Sequence, residues 1–115
     1  MSYDMAIWQG DVPASGREAA KMHDRLYEEY LDGEELAPPV SVITDFLSVL
    51  TERWPDRNVG EDTPWASIPL SAGASGPYVY IALAWSTAEM ASAHVAQVAN
   101  QFGLVCFDPQ MRTLR

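Results

Sequence analysis

The apolar and polar positions of this chain follow two periods, one of two residues and one near 3.6 residues. Alternation with the shorter period predicts a β-strand, because successive side chains of a strand point to opposite faces of the sheet. Four segments are predicted as strands: residues 3–9, 65–70, 78–85 and 104–108. The segment 78–85 is the strongest of these, with Val79 and Ile81 on one face and Tyr78 and Tyr80 on the other.

Three further segments repeat their apolar residues at helical spacing and are predicted as helices. The first predicted helix begins at a capping box, Ser15 with Glu18, and ends at Gly33, and the second extends from Pro38 to Pro55. The third begins at another capping box, Ser86 with Glu89, and ends at Gly103. In a capping box the hydroxyl accepts a backbone N–H of the first turn and the carboxylate reaches back to the cap. The polar segment 55–64 is predicted to be an exposed loop.

The predicted element order is β-α-α-β-β-α-β within a single α+β domain, residues 1–115. Without one of its first two helices, this order is the βαββαβ unit of ferredoxin-like sandwiches. Right-handed crossovers would place both helical connections on the same side of the sheet. The sequence therefore predicts a ferredoxin-like two-layer sandwich, with an antiparallel four-stranded sheet and helices on one face.

Charge is concentrated in the first third of the chain. Residues 1–37 hold nine acidic and three basic side chains, residues 65–107 hold only Glu89, and the whole chain has a net charge of −9. A nucleic-acid-binding protein must neutralise phosphates with Lys and Arg, so this class is excluded. A basic protein partner is compatible with the charge, although acidity alone also keeps a protein in solution.

Other features of the composition predict a cytoplasmic protein. The apolar fraction of 48% is too high for a disordered chain, but no apolar run is long enough to cross a membrane. Residues 1–15 lack the pattern of a secretory signal. The single cysteine, Cys106, cannot form an internal disulfide and suits a reducing compartment.

One short motif suggests an enzyme. Cys106 and Arg112 match the Cys-x5-Arg spacing of cysteine-dependent phosphatases, and Trp54-Pro55-Asp56 matches their general-acid loop. Such a site needs a thiolate within a cradle of backbone N–H groups. Pro109 removes one of these donors and Asp108 places a negative charge where the phosphate would bind. The motif is therefore disfavoured, and Cys106 is predicted to be a buried structural residue.

The two histidines do not suggest a metal site. His23 and His94 have no cysteine or second histidine within a helical turn, whereas a zinc site needs three or four such ligands. We therefore predict no catalytic residue, no metal and no cofactor.

Three surfaces are candidate protein interfaces. They are the acidic side of the first helix (Asp24, Glu28 and Glu29), the uncharged side of the third helix (Met90, His94, Gln97 and Gln101) and an aromatic sheet face (Trp8, Tyr78 and Tyr80). Exposed aromatic clusters often mark interfaces. The alternatives for the sheet face are that a loop covers it, or that the strand register differs by one residue and reverses the two faces.

Five segments together form a recognisable set: Tyr3–Trp8, Trp54–Asp56, Pro64–Trp65, Ser75–Pro77 and Gly103–Gln110. With these segments the chain resembles a family of small, acidic, largely uncharacterised bacterial proteins. In size and acidity these proteins are similar to the immunity proteins of bacterial toxin systems. The resemblance implies an inhibitor that masks a basic toxin domain, and it carries no assigned catalytic residue.

The sequence thus favours a non-enzymatic protein-binding module whose partner is a basic protein. A weak homodimer, formed through the sheet face or the third helix, is a further prediction. The alternative is a small enzyme or ligand-binding domain with a pocket between the sheet and the 55–64 loop. In that case the candidate residues would be Trp54, Asp56, Trp65 and Cys106.

Overall fold

The sheet is built around the first strand of the chain. A computed structural model describes residues 2–33, 35–57 and 63–115. In these ranges five strands form one antiparallel sheet: β1 (Ser2–Trp8), β2 (Ala74–Ser75), β3 (Tyr78–Ala84), β4 (Val105–Asp108) and β5 (Thr113–Leu114). Three helices pack on it: α1 (Gly16–Tyr30), α2 (Ser41–Arg53) and α3 (Ala88–Gln101). The strand order is β2-β3-β1-β4-β5, so β1 is central.

Helix α1 begins at the predicted capping box. The Ser15 hydroxyl accepts the backbone N–H of Glu18 at 3.2 Å, and the Glu18 carboxylate accepts the N–H of Ala14 at 3.2 Å. The carboxylate thus reaches one residue beyond the expected cap. The helix ends at Tyr30, three residues before the Gly33 stop that the pattern predicts.

Helix α3 begins differently from the prediction. A short 3-10 turn, Trp85–Thr87, precedes it, and no side chain caps its first turn. Because Ser86 lies inside this turn, its hydroxyl is not at the cap position, and the predicted Ser86–Glu89 capping box is wrong. The strand predicted over 78–85 correspondingly ends at Ala84.

The predicted strand 65–70 is only a single bridge, between Trp65 and Leu83. The chain then leaves the sheet through a 3-10 turn, Leu70–Gly73, and returns as β2. Pro69 has no backbone N–H to contribute to a ladder, which is why the edge is divided into two short pieces. Of the predicted 55–64 loop, residues 58–62 lie outside the described ranges.

Strand β1 is covered on both of its faces. Met5 and Ile7 belong to one buried cluster with α2 and α3, whereas Ala6 and Trp8 belong to a second cluster with α1. The helices therefore lie on both sides of the sheet, α1 on one and the other two opposite it. The α+β class and the antiparallel sheet are confirmed, but the four-stranded, two-layer ferredoxin-like arrangement is wrong.

Aromatic packing explains why α1 lies on the sheet face that contains Trp8 and Tyr78. Trp8 and Tyr78 stack at 6.4 Å between ring centroids, and Phe107 contacts Trp8 at 6.2 Å. Aromatic rings have a large apolar surface, so covering them with α1 stabilises the folded chain. Trp8 is 1% exposed and Tyr78 is fully buried, so their predicted exposure is wrong. The covering segment is α1, not a loop, and the predicted strand register of β3 is correct.

A pair of tryptophan variants tests this correction. Trp8→Ala should lower the free energy of unfolding by about 3–5 kcal/mol, because it empties a filled site between sheet and helix. Trp85→Ala removes the same side chain at a position that is 56% exposed, and should cost less than about 1 kcal/mol. Urea unfolding followed by circular dichroism measures both, and equal losses would contradict the burial of Trp8 beneath α1.

Candidate functional site

A cavity of about 470 Å³ opens between the C-terminal half of α1 and the edge of the sheet. Tyr27 lines it from α1 and Leu31 from the cap that follows, and Asp4 and Tyr80 line it from β1 and β3. The remaining wall includes residues 67–70, 72 and 73 of the segment between Trp65 and β2, which we call the edge segment. Asp4 is the only charged side chain among the described residues of this lining. We call this space the larger cavity.

A smaller cavity of about 400 Å³ shares Tyr27 and Tyr80 with the larger one. The rest of its wall consists of His23 and three carboxylates, namely Asp24 and Glu28 of α1 and Asp32 just after the helix. Neither lining includes a lysine or an arginine among the described residues. The two cavities together form a strongly negative site, which we call the acidic cleft.

Asp4 is held in place from both its side chain and its backbone. One carboxylate oxygen accepts the Tyr80 hydroxyl at 2.5 Å and the other accepts the Ser2 hydroxyl at 2.7 Å. The Gln110 side chain accepts the Asp4 N–H at 2.5 Å and donates to the Asp4 carbonyl at 2.8 Å. Within β1, only residues 6–8 pair with β4, so Gln110 takes the place of a neighbouring strand beside Asp4.

Gln110 is itself fixed by a buried carboxylate. Asp108, 1% exposed, accepts hydrogen bonds from Gln110 at 2.8 Å, from the Met111 N–H at 3.0 Å and from the Tyr3 hydroxyl. Arg115 completes the network as an ion pair at 3.5 Å. Burial raises the pKa of Asp108, but these hydrogen bonds and the Arg115 charge outweigh it and leave the pKa below its ordinary value. The position of Asp4 thus depends on a charged, buried anchor.

Aromatic side chains form the wall between the two cavities. The His23 ring stacks on Tyr80 and Tyr78 with centroids 5.9 Å apart in each case, and its Nδ1 lies 2.8 Å from the Tyr78 hydroxyl. Tyr27 contacts Tyr80 edge to face at 5.7 Å. Tyr27 is 42% exposed, so this wall presents an accessible aromatic ring to the solvent.

His23, Tyr78 and Tyr80 add no charge to the acidic cleft at neutral pH. Burial lowers the pKa of His23, although the charges of Asp24 and Asp4 oppose the shift. Burial also raises the pKa of Tyr80 and of Tyr78 above the ordinary value for a phenol. At neutral pH the imidazole is therefore uncharged and both phenols keep their protons.

The acidic end of α1 opposes a general rule of helix electrostatics. Glu28 and Glu29 lie in the last turn, Asp32 follows the helix, and no basic residue occupies that turn. A helix C-terminus carries partial negative charge, so each carboxylate there costs roughly 0.3–1 kcal/mol. Departures from a local stability rule often mark functional sites.

The structure brings some of the predicted interface residues together and separates others. Asp24, Glu28 and Tyr80 line the acidic cleft, whereas Glu29 is exposed beside it. Sequence reasoning missed Asp4, Tyr27 and Asp32. A signal for Asp4 was present, because it shares the face of Ala6 and Trp8 in the alternation of β1.

The uncharged side of α3 lies on the opposite face of the sheet. Three of its four predicted residues are exposed, namely Met90, Gln97 and Gln101. His94 is partly buried, with its ring edge-on to Trp54 at 5.1 Å and its Nδ1 3.4 Å from an Arg53 nitrogen. Because α1 covers the aromatic sheet face, a homodimer through that face is wrong, and the α3 route stays a prediction.

The phosphatase-like residues do not assemble a site. Cys106 is 2% exposed within the core cluster, as predicted, whereas Arg112 is exposed. Burial raises the pKa of the Cys106 thiol to about 12. Asp56 accepts the backbone N–H of Leu70 at 2.8 Å and so holds the edge segment. This carboxylate has a structural partner, and the thiol is not a nucleophile at neutral pH.

Comparison with family models, with curated proteins and with solved structures finds no match to the chain. The resemblance to small acidic bacterial proteins therefore stays a prediction. Within the described ranges, no three His, Cys, Asp or Glu side chains are grouped to hold a metal ion. No described helix is long and apolar enough to cross a membrane.

The burial of His23 predicts a pH dependence of stability. Its pKa is below 6.5 in the folded chain, so the unfolded chain takes up more protons as the pH falls through that value. The contribution of neutral His23 is complete above about pH 6.5 and is lost on acidification. Between about pH 7.5 and pH 5 the wild type should lose more unfolding free energy than His23→Gln, measured with urea. Equal losses would show that His23 titrates alike in both states.

The burial of Cys106 predicts an unreactive thiol. Alkylation by iodoacetamide near neutral pH should be at least about a hundredfold slower in the native chain than in the chain unfolded by urea. Mass spectrometry of timed samples measures both rates. A native rate close to the unfolded rate would reopen the enzyme alternative, which needs an accessible thiolate.

Proposed function

We propose that this chain is a protein-binding module that holds a positively charged segment of a partner protein at the acidic cleft. One observation carries the proposal: four carboxylates line the cleft without a basic side chain among its described residues, namely Asp4, Asp24, Glu28 and Asp32. Several carboxylates in a concave site concentrate the negative electrostatic field and raise the rate of encounter with a cation.

The electrostatic cost at the end of α1 supports this function. Glu28, Glu29 and Asp32 repel the helix C-terminus and one another in the free chain. A cationic partner would reverse both effects, because each carboxylate would then face an opposite charge. A partner-binding surface therefore accounts for a placement that stability alone disfavours.

The more specific form of the proposal is an immunity-like inhibitor of a basic toxin domain. Its support is the resemblance to small acidic bacterial proteins, the net charge of −9 and the cleft. An inhibitor that acts by covering its target needs no nucleophile, which agrees with the buried Cys106. A cytoplasmic location belongs to the same proposal, since a single thiol suits a reducing compartment.

The proposal predicts salt-sensitive binding of a basic peptide at the cleft. A fluorescent oligo-arginine peptide should bind the wild type, and its affinity should fall as salt rises from about 25 to 150 mM. The double variant Glu28→Lys with Asp32→Lys should bind at least about tenfold more weakly, because it reverses two charges of the cleft. Fluorescence anisotropy measures each dissociation constant.

The matched control makes the same change in net charge on the opposite side of the sheet. Asp45 and Glu52 are exposed on α2, and Asp45→Lys with Glu52→Lys should leave the affinity within about threefold of the wild type. If both double variants weaken binding equally, the peptide responds to overall charge. That result, or an affinity that ignores salt, would overturn the proposal.

A further inference from the structure

The larger cavity combines one carboxylate with a lining that is otherwise uncharged among its described residues. Leu31, Leu36 and Ile68 provide apolar contacts, and the cavity volume of about 470 Å³ lies in the range of small-ligand sites. A site with a single fixed charge among uncharged side chains, several of them apolar, favours a ligand that carries one opposite charge on an apolar stem. This lining differs from that of the smaller cavity, which includes three carboxylates.

The Asp4 carboxylate retains capacity for another donor. It accepts one hydroxyl at each oxygen, from Tyr80 and Ser2, whereas an ionised carboxylate offers about four acceptor positions. The described ranges contain one ion pair, between Arg115 and Asp108, so Asp4 has no basic partner there. A charge that is partly removed from water is stabilised when it is paired, and a cationic group is the fitting ligand.

The two tyrosines of the wall suit the same ligand. Tyr27 and Tyr80 meet edge to face with their planes at 71°, and Tyr27 is partly accessible to solvent. A guanidinium or ammonium group is attracted to the face of a tyrosine ring. The methylene stem of arginine or lysine packs well on apolar side chains such as Leu31 and Ile68.

We infer that the larger cavity receives one arginine or lysine side chain of the partner, with its cationic group at Asp4 and its stem along Tyr27. The inference rests on the proposed function, because it names the group that anchors the basic partner. The carboxylates of the smaller cavity would attract the other positive charges of the partner, which surround the inserted side chain. Asp4 and the tyrosines would select the inserted side chain itself. This division separates long-range attraction from local specificity.

Titration with capped amino acids tests the inference directly. N-acetyl-arginine methylamide and N-acetyl-lysine methylamide should shift the backbone amide resonances of Asp4, Tyr80 and Ala82 in a saturable way. N-acetyl-norleucine methylamide has a similar stem without the charge, and should bind at least about tenfold more weakly. Equal binding of the uncharged probe would overturn the inference, as would shifts confined to the outer side of α1.

Two variants locate the contact. Asp4→Asn keeps the shape of the side chain but removes its charge, and should lower the affinity for capped arginine at least about tenfold. Tyr27→Ala removes a partly exposed ring that has no hydrogen bond to Asp4, and should lower it about threefold to tenfold. Asp45→Asn, on α2, should have no effect. The same spectra report whether each variant is folded, and a folded Tyr27→Ala with unchanged affinity would contradict the predicted position of the stem.

The oligo-arginine peptide distinguishes this inference from the proposed function. In one outcome Asp4→Asn binds the peptide as the wild type does, while Glu28→Lys with Asp32→Lys does not. In that case the inference that the larger cavity receives one arginine or lysine side chain is wrong, and the proposal of a basic partner stands. If neither change affects the peptide, both fail. If Asp4→Asn weakens the capped arginine and the peptide alike, the larger cavity anchors the partner.

Discussion

Burial of β1 on both faces is the constraint on which the rest of the fold depends. Met5 and Ile7 point to one side and Ala6 and Trp8 to the other, and all four are almost inaccessible to water. Exposing either set would lose the free energy of burying large apolar side chains, about 1.5–3 kcal/mol for each. Helices must therefore cover both sides of the sheet, which separates α1 from α2 and α3.

The acidic cleft arises where that coverage ends. Strand β1 is seven residues long, but β4 pairs with only its last three, and the first residues of β1 are half-buried. On the other side of β3, the edge consists of β2 and the single bridge at Trp65. Polar groups of β1 and β3 are accessible there, because neither a long edge strand nor α1 covers them. The cleft thus lies beside the short and divided edge of the sheet next to β3.

The elements that follow a local period could be predicted from the sequence, but their assembly could not. The three helices and the register of β3 agree with the pattern because side-chain spacing depends only on local geometry. The side taken by α1 depends on contacts between distant segments. Continuous apolar runs at residues 5–8 and 104–107 are typical of strands that are buried on both faces, but they do not specify which helix covers which face. Two-residue strands such as β2 and β5 are too short to produce a pattern.

The candidate site was predictable only in its charge. The acidic residues of α1 are visible in the sequence, but the contact of Asp4 with Tyr80 joins residues 76 positions apart. A requirement for solubility explains the total charge without explaining its distribution. Helix α2 ends with Arg53 in its last turn, which suits the helix dipole, whereas the last turn of α1 contains only acidic charge. Because both helices belong to one chain and need the same solubility, solubility alone does not explain why the last turn of α1 lacks a basic residue.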